Sequence, residues 1–426
     1  MRCAAALVVI KEQMSEAETT PGDARPCESS RDDARARVQA LCERGVRVVD
    51  PCQTYVDADV DPSRVDPSAV LHPGARLYGA ALLIGPRAEV GTEGPAMVRD
   101  CAFGADTHIA SGFAHRAVLL DGASLGSNAH ARPGTLLEEQ ASTAHGVGLK
   151  HTVLLSFVAL GSLINFCDCL MGGGRSRRDH SEVGSGYIHF NFTPWGARGD
   201  KATPSLFGDV TRGVFLREDR IFLGGAGGCV GPRSVGFGAL TGAGQVTRQD
   251  VPAHTMSVQA APEVSRAFTS GAVDRLEPRA SANAKYIGQL AALRAWYAKV
   301  RAPRAAAVGG YQAALVQAAT DTLDLALAER LKRLQAFAEE RGATLGTGEG
   351  APTVGDLHAA AQAAGACPEP LAAAVRDAAT SPGAAAPADH VKWVQALGDD
   401  AVTAGTIWLD AVAAAVASMV GVEPAT

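Results

Sequence analysis

Between Val65 and Val246 the apolar positions recur every six residues, a period that belongs neither to a helix nor to a simple alternating strand. Ile84-Gly85-Pro86-Arg87-Ala88-Glu89, Phe103-Gly104-Ala105-Asp106-Thr107-His108, Leu125-Gly126-Ser127-Asn128-Ala129-His130 and Val235-Gly236-Phe237-Gly238-Ala239-Leu240 are clear copies. Each starts on an aliphatic or aromatic residue and carries a small residue four places on in most copies. A hexad of this kind predicts a parallel β-helix that turns a corner with every repeat. The aliphatic residue faces the interior of the prism, and the small residue lets the backbone bend. The prism is expected to be left-handed, as this repeat type is, against the usual right-handed crossover rule. Six-residue repeats can break that rule because each crossover is a tight corner and not a packed helix. Its open faces are expected to be covered by trimer formation, which places ligands at subunit borders.

The pattern divides the chain. Residues 1–45 read as a polar leader followed by a short helix over 31–43, with Val38 and Leu41 on one side and a stop at Gly45. Residues 46–262 read as the β-helix, interrupted by one inserted loop at 172–220. Residues 263–426 change to Ala, Leu, Lys and Glu at helical spacing and read as an α-helical region. Within it, helices are expected over 286–300 and 321–341, the latter with a stripe of Leu323, Leu327, Leu331 and Leu334. The segment 390–422 is expected to be helical and apolar. Pro/Gly/Ala stretches at 302–310, 342–353 and 381–388 read as hinges. The fold class is therefore mainly β with α: a left-handed parallel β-helix followed by helices.

Composition narrows the partners. The chain has 426 residues, enough for two or three domains, and 47% hydrophobic residues supply cores. A formal charge of −6 without a basic face argues against nucleic acid. The apolar run at 4–10 has no cleavage site and does not read as a signal peptide. No stretch of the sequence reads as the roughly 20 apolar residues that span a bilayer. Nine scattered cysteines fit a reduced, cytoplasmic compartment. Cys167-x-Cys169 lacks the second pair that a zinc site needs, so no metal is predicted.

Several landmarks carry a resemblance. They are Gly45-Val46 through Asp50-Pro51, Arg132-Pro133-Gly134, the stretch from Leu163 to Asp168, Asn191-Phe192, Phe222-Leu223-Gly224-Gly225 and Thr241-Gly242-Ala243-Gly244-Gln245-Val246-Thr247-Arg248. In this order they resemble the acetyltransferase half of the bifunctional N-acetylglucosamine-1-phosphate uridyltransferase/glucosamine-1-phosphate acetyltransferase family, over about 46–255. Hexapeptide prisms are mostly acyltransferase scaffolds. The resemblance implies that Arg132 and Lys150 hold a sugar phosphate, an arginine fork beside a lysine point charge. It implies that Asn191 and Lys201 contact the sugar. It also implies acetyl-CoA as co-substrate, with Gly225 and Ala243 on the path of the pantetheine arm and Arg248 meeting a CoA phosphate. The first 45 residues carry no Gly-rich nucleotide loop, so uridylyl transfer is not expected, and a separate nucleotidyltransferase is a possible partner.

The chain departs from the family at the base. Where the family has a histidine twelve places after the lysine, this sequence has Ser162, and the following tyrosine is Asn165. A serine hydroxyl is a poor base near neutral pH. His145, His151, His180 and His189 are the candidate replacements, with His189 and His180 favoured for their neighbourhood to Asn191 and to the arginines of the inserted loop. In that loop, Gly172-Gly173-Gly174-Arg175-Ser176-Arg177-Arg178 combines free amides with Arg175, Arg177 and Arg178, a composition that can cradle an anion. Two functions stay open: an acyl-CoA-dependent transferase acting on a phosphorylated or nucleotide-linked amino sugar, and a non-catalytic sugar-phosphate or nucleotide-sugar binding or scaffold protein of the same fold.

Overall fold

The computed structural model describes residues 28–196, 199–260, 276–346, 351–380 and 389–424, with residues 263, 265, 267 and 269 besides. The hexads wind into a parallel β-solenoid of about 11 turns. One face is an 11-stranded sheet of two-residue strands, from Arg47–Val48 at one end to Met256–Ser257 at the other. The other two faces join into one 16-stranded sheet. They join because two long strands, Gly148–Leu154 and Asn165–Met171, run through the corner between them, bending at His151 (φ 46°) and Asp168 (φ 62°).

The bend of each hexad falls one residue before the small one. Arg87, Asp106 and Asn128 all sit at φ 55°, in the left-handed region that asparagine and aspartate tolerate best. The next residues, Ala88, Thr107 and Ala129, are buried. They are the first inward positions past the corner, where the walls converge and leave little room for a side chain. The small residue is thus selected by crowding inside the prism, and the turn itself by the residue before it.

The first coil is closed by helix α1 (Glu28–Glu43), which buries Val38 and Leu41 and bonds Arg37 Nε to the Val56 carbonyl at 2.8 Å. The helix stops at Gly45, whose φ of 100° favours glycine, as the sequence reading expected. The stretch 172–220, expected as one inserted loop, instead contributes a complete coil: Glu182–Val183, Ile188–Phe190 and Ser205–Phe207 each take a place in the solenoid. Its glycines and arginines hid three short strands that have no hexad spacing between them, because excursions at 172–180 and 191–204 separate them.

The helical region lies against the third face. There the outward column of Leu83, Ala102, Val118, Leu136, Val153, Leu170 and Leu206 is paired rung to rung and buried. These residues share one apolar cluster with helices α2 (Leu276–Trp296), α3 (Ala302–Val308) and α4 (Gly310–Glu339). A π-helical stretch, Tyr297–Arg301, links α2 to α3, so the hinge expected over 302–310 is largely helical. Beyond α4, Ala343–Leu345 pairs antiparallel with Val422–Pro424 inside the second expected hinge. The third, 381–388, lies outside the described residues. Helices α5 (Val354–Ala363), α6 (Glu369–Thr380) and α7 (His390–Gln395) lead to α8 (Asp399–Met419), which packs along α2. A Cβ on Gly288 would lie 2.3 Å from the Ala413 carbonyl, so that crossing requires glycine. Among the described residues α8 is the one helix long and apolar enough to cross a bilayer. The sequence predicts an apolar helix within 390–422, though not one of spanning length. Here its Trp408, Leu409, Val412 and Val416 are buried in the helical core.

Buried ion pairs lock the two parts together. Arg301 bonds Glu139 at 2.6 and 2.9 Å and reaches Glu138 at 3.3 Å, while the Tyr297 hydroxyl donates to Glu138 at 2.8 Å. Arg330 pairs with Asp168 at 2.6 Å, and Arg279 with Asp200 at 2.8 Å. Burial opposes charge on both glutamates. It raises the Glu138 carboxyl, whereas the Arg301 guanidinium overcomes it at Glu139 and holds that group well below the usual range.

Candidate functional site

Among the described residues the second face carries no helix, and a hollow opens on its outer surface. Its strands around the hollow are β1 (Ala129–Ala131), β2 (Gly148–Leu154), β3 (Asn165–Met171), β4 (Ile188–Phe190) and β5 (Gly228–Val230). The register places His130, Gly148, Asn165, Ile188 and Gly228 in one outward column. Gly148 has no side chain, so the column has a gap between His130 and Asn165. A groove of ≈ 520 Å³ opens there, with Asn128, Arg132, Leu163 and Ile164 in its walls.

The next outward column gathers cations. His115 pairs with Arg99 on the preceding rung. Arg132 follows Ala131, which faces Leu149, and Lys150 follows Leu149. Arg132 and Lys150 therefore stand on adjacent rungs, ~5 Å apart in backbone spacing. Arg132 is half-buried, with its Nη2 3.4 Å from the Cys167 sulfur. Lys150 is half-buried and has no carboxylate partner among the described residues. Two cations with no carboxylate partner among the described residues thus stand beside a groove of mixed polar and apolar lining, an arrangement chemically suited to an anion such as phosphate. His130 adds a neutral polar group at this wall: burial and the Arg132 charge both push its pKa down.

The opposite wall is the corner between the first and second faces. Backbone bonds from Gly146 to Ser127, Leu163 to His145, Gly186 to Ser162, Ala226 to Ser185 and Gly244 to Gly225 stack equivalent positions of successive coils. They align Ser127, His145, Ser162, Ser185, Gly225 and Ala243 along one edge. His145 is exposed, and its Nδ1 lies 2.9 Å from the Ser162 hydroxyl. Past Ser185 the edge carries only Gly225 and Ala243 at these positions. An extended chain can approach the backbone closely there. Arg248 is exposed two residues beyond Val246.

The remaining candidates lie elsewhere. His189 is buried, with Nδ1 donating to the Cys167 carbonyl and Nε2 accepting from the Ser205 hydroxyl, both at 2.7 Å. Burial pushes its pKa down to about 4. Both ring nitrogens are committed, so it serves as an internal polar brace for two coils. His180 bonds the Arg177 carbonyl at 2.9 Å, in the excursion at 172–180 away from the groove. In that excursion Arg175 pairs with Asp219 and bonds the Arg217 carbonyl at 3.1 Å. Arg177 bonds the Gln140 carbonyl at 2.9 Å, and Arg178 is exposed. Two of the three arginines are thus spent on holding the loop. The Asn191 amide donates to Asp168 at 3.1 Å, on the side facing α4. Lys201 is exposed next to Asp200, which Arg279 of α2 holds. Neither Asn191 nor Lys201 lines the groove.

Sequence reasoning missed Gly148 and His130. Their signal was present as a column, since outward positions of successive coils recur at near-constant spacing and Gly148 breaks the series of side chains.

Fold and groove together define a hexapeptide-repeat parallel β-solenoid protein, resembling the acetyltransferase half of the bifunctional uridyltransferase/acetyltransferase family. The relatives are each named bifunctional protein GlmU. That of Thermotoga sp. (strain RQ2) is 26% identical over 228 residues, 54% of this chain and 45% of the relative. That of Mycolicibacterium vanbaalenii is 29% identical over 229 residues, 54% of this chain and 41% of the relative. That of Nocardia farcinica is 30% identical over 219 residues, 51% of this chain and 39% of the relative. The chain thus spans less than half the length of these relatives. No family model matches it.

Proposed function

We propose that this protein is an acyl-CoA-dependent acyltransferase, with acetyl-CoA as donor and a phosphorylated or nucleotide-linked amino sugar as acceptor. The observation that carries the reading is the groove at Gly148 with Arg132 and Lys150 on adjacent rungs beside it. The guanidinium fork and the ammonium hold the phosphate, and the amino sugar lies across the gap toward the corner edge. The small residues Gly225 and Ala243 along the edge support room for the thin pantetheine arm, and the reading assigns the exposed Arg248 to a CoA phosphate. Thioester CoA supplies the activated acyl group. Binding acceptor and donor on one face of the solenoid turns their encounter into a local one, which is worth many powers of ten in rate. Trimeric assembly, a cytoplasmic location and a separate nucleotidyltransferase partner belong to the same proposal, supported by the similarity to proteins named bifunctional GlmU.

The test is thiol release from acetyl-CoA in the presence of glucosamine 1-phosphate or a uridine-diphosphate amino sugar. We expect turnover, and Arg132→Met with Lys150→Met to raise the acceptor KM at least about tenfold while leaving the acetyl-CoA KM unchanged. Ser162 and Asn165, standing where the family has histidine and tyrosine, favour a second reading as a binding or scaffold protein. Under that reading the sugar compounds raise the melting temperature, acetyl-CoA does not, and no thiol is released.

A further inference from the structure

We infer that His145 is the general base of the proposed acyl transfer and that Ser162 positions it, an inference that rests on the acyltransferase reading above. The two side chains come from successive coils of the same corner, with His145 Nδ1 and the Ser162 oxygen 2.9 Å apart. The Ser162 backbone is itself fixed: its N–H donates to the Ser185 hydroxyl at 3.1 Å, and its carbonyl accepts from Gly186 at 2.8 Å. The His145 carbonyl accepts from Leu163 at 2.9 Å. The next residues of both coils, Gly146 with Val147 and Leu163 with Ile164, line the groove. An exposed imidazole is therefore anchored through one nitrogen at the rim of the groove that Arg132 lines.

The anchoring accommodates the productive tautomer, because a serine oxygen can accept as well as donate. When Nδ1 carries the proton and donates to the Ser162 oxygen, Nε2 keeps its lone pair and faces away from the wall. Of the four histidines weighed from the sequence, His189 has both nitrogens bonded inside the prism, and His180 bonds the loop at 172–180. His151 is half-buried at the corner facing α4, and burial pushes its pKa down to about 4. Of these four, only His145 joins the groove rim to a ring nitrogen with no partner among the described residues. Among the described residues, the other titratable and charged groups around the hollow are Glu93, bonded to Ser127 on the same edge, His130 and Arg132 in the opposite wall, and Lys150 on the rung beside Arg132.

The chemistry balances. Nε2 takes a proton from the acceptor ammonium, leaving an imidazolium and a free amine. The amine lone pair forms the N–C bond at the thioester carbonyl, and the C–S bond breaks. The second amine proton goes to the departing thiolate, giving the amide and CoA thiol, and the imidazolium proton is released to solvent.

The experiment measures kcat/KM against pH for the full chain and for His145→Ala and Ser162→Ala, with acetyl-CoA and the acceptor that gives turnover. A positioned base contributes about 10²–10⁴-fold, so His145→Ala is expected to lose at least about a hundredfold at neutral pH. Its remaining rate should climb toward alkaline pH, where the amine deprotonates unaided. Ser162→Ala is expected to lose about tenfold, with the acetyl-CoA KM unchanged in both. Both residues lie at the surface, and equal melting temperatures confirm that the fold is intact. Retention of wild-type turnover and pH profile by His145→Ala overturns the assignment while leaving the acyltransferase reading in place. A covalent acyl adduct on Ser162, seen by intact mass after acetyl-CoA alone, overturns it in favour of serine as nucleophile. Absence of turnover in the unmodified chain defeats the parent reading, and His145 with it.

Discussion

The second and third faces of the solenoid are cut from the same coils, yet they do opposite things. On the third face both sides of each strand are apolar. Leu83-Ile84, Val118-Leu119, Leu136-Leu137, Val153-Leu154, Leu170-Met171 and Leu206-Phe207 send one residue into the prism and one under the helices. On the second face the same inward column is kept, but outward stand Arg99, His115, His130, Arg132, Gly148, Lys150 and Asn165. The hexad constrains only the interior, so each outward column is free to choose a partner. An apolar column drives burial against protein, while a polar column with a missing side chain makes a cleft for a ligand.

Substitutions should separate the faces by their cost. The largest effect is expected at the buried charges of the third face. Arg301→Met leaves Glu138 and Glu139 without their shared cation and should cost about 3–5 kcal/mol in urea unfolding. Leu136→Ala, in the covered column, should cost about 2–5 kcal/mol by transfer and cavity terms. A comparable loss from an outward residue of the second face would erase the distinction.

A pH effect should follow from His189, which braces the interior of the second-face coils. Its pKa is pushed down from 6.5 to about 4 by burial. Above pH 6.5 the ring is neutral in both states and costs nothing. Between 6.5 and about 4 the unfolded chain takes up the proton and the folded chain refuses it, so stability falls as pH falls, by roughly 3 kcal/mol in all. His189→Gln should flatten that slope in melting temperature against pH, and an unchanged slope would place the acid sensitivity elsewhere. The smallest effect on stability is expected at Gly148. A Cβ there meets Asn165 Oδ1 at 3.5 Å, an ordinary contact, and its φ is not positive. Gly148→Leu should change unfolding by under about 0.5 kcal/mol while removing the response of the melting temperature to sugar phosphate. If that response persists, the ligand does not use the groove.

Much of this architecture was legible in the chain. The hexad fixed the prism, its start near Val46 and the closing helix before Gly45, because inward residues repeat whatever their partners. The Arg132 and Lys150 pair was legible through the resemblance. The complete coil within 172–220 was not, since the excursions there break the spacing that reveals a hexad. Nor was the corner partnership of His145 with Ser162: the two lie seventeen residues apart, and only coil stacking makes them neighbours. His189 looked well placed beside Asn191 in sequence, but strand alternation turned it inward.

The sequence by itself determined the repeat, the inward column and the division into solenoid and helices, because local periodicity decides which side of each strand leaves water. Tertiary structure alone decided which outward column the helices would cover, where a single glycine would open a groove, and which histidine would stand at its rim. Those outcomes depend on residues a full coil or more apart in sequence, brought into register by the pitch of the solenoid.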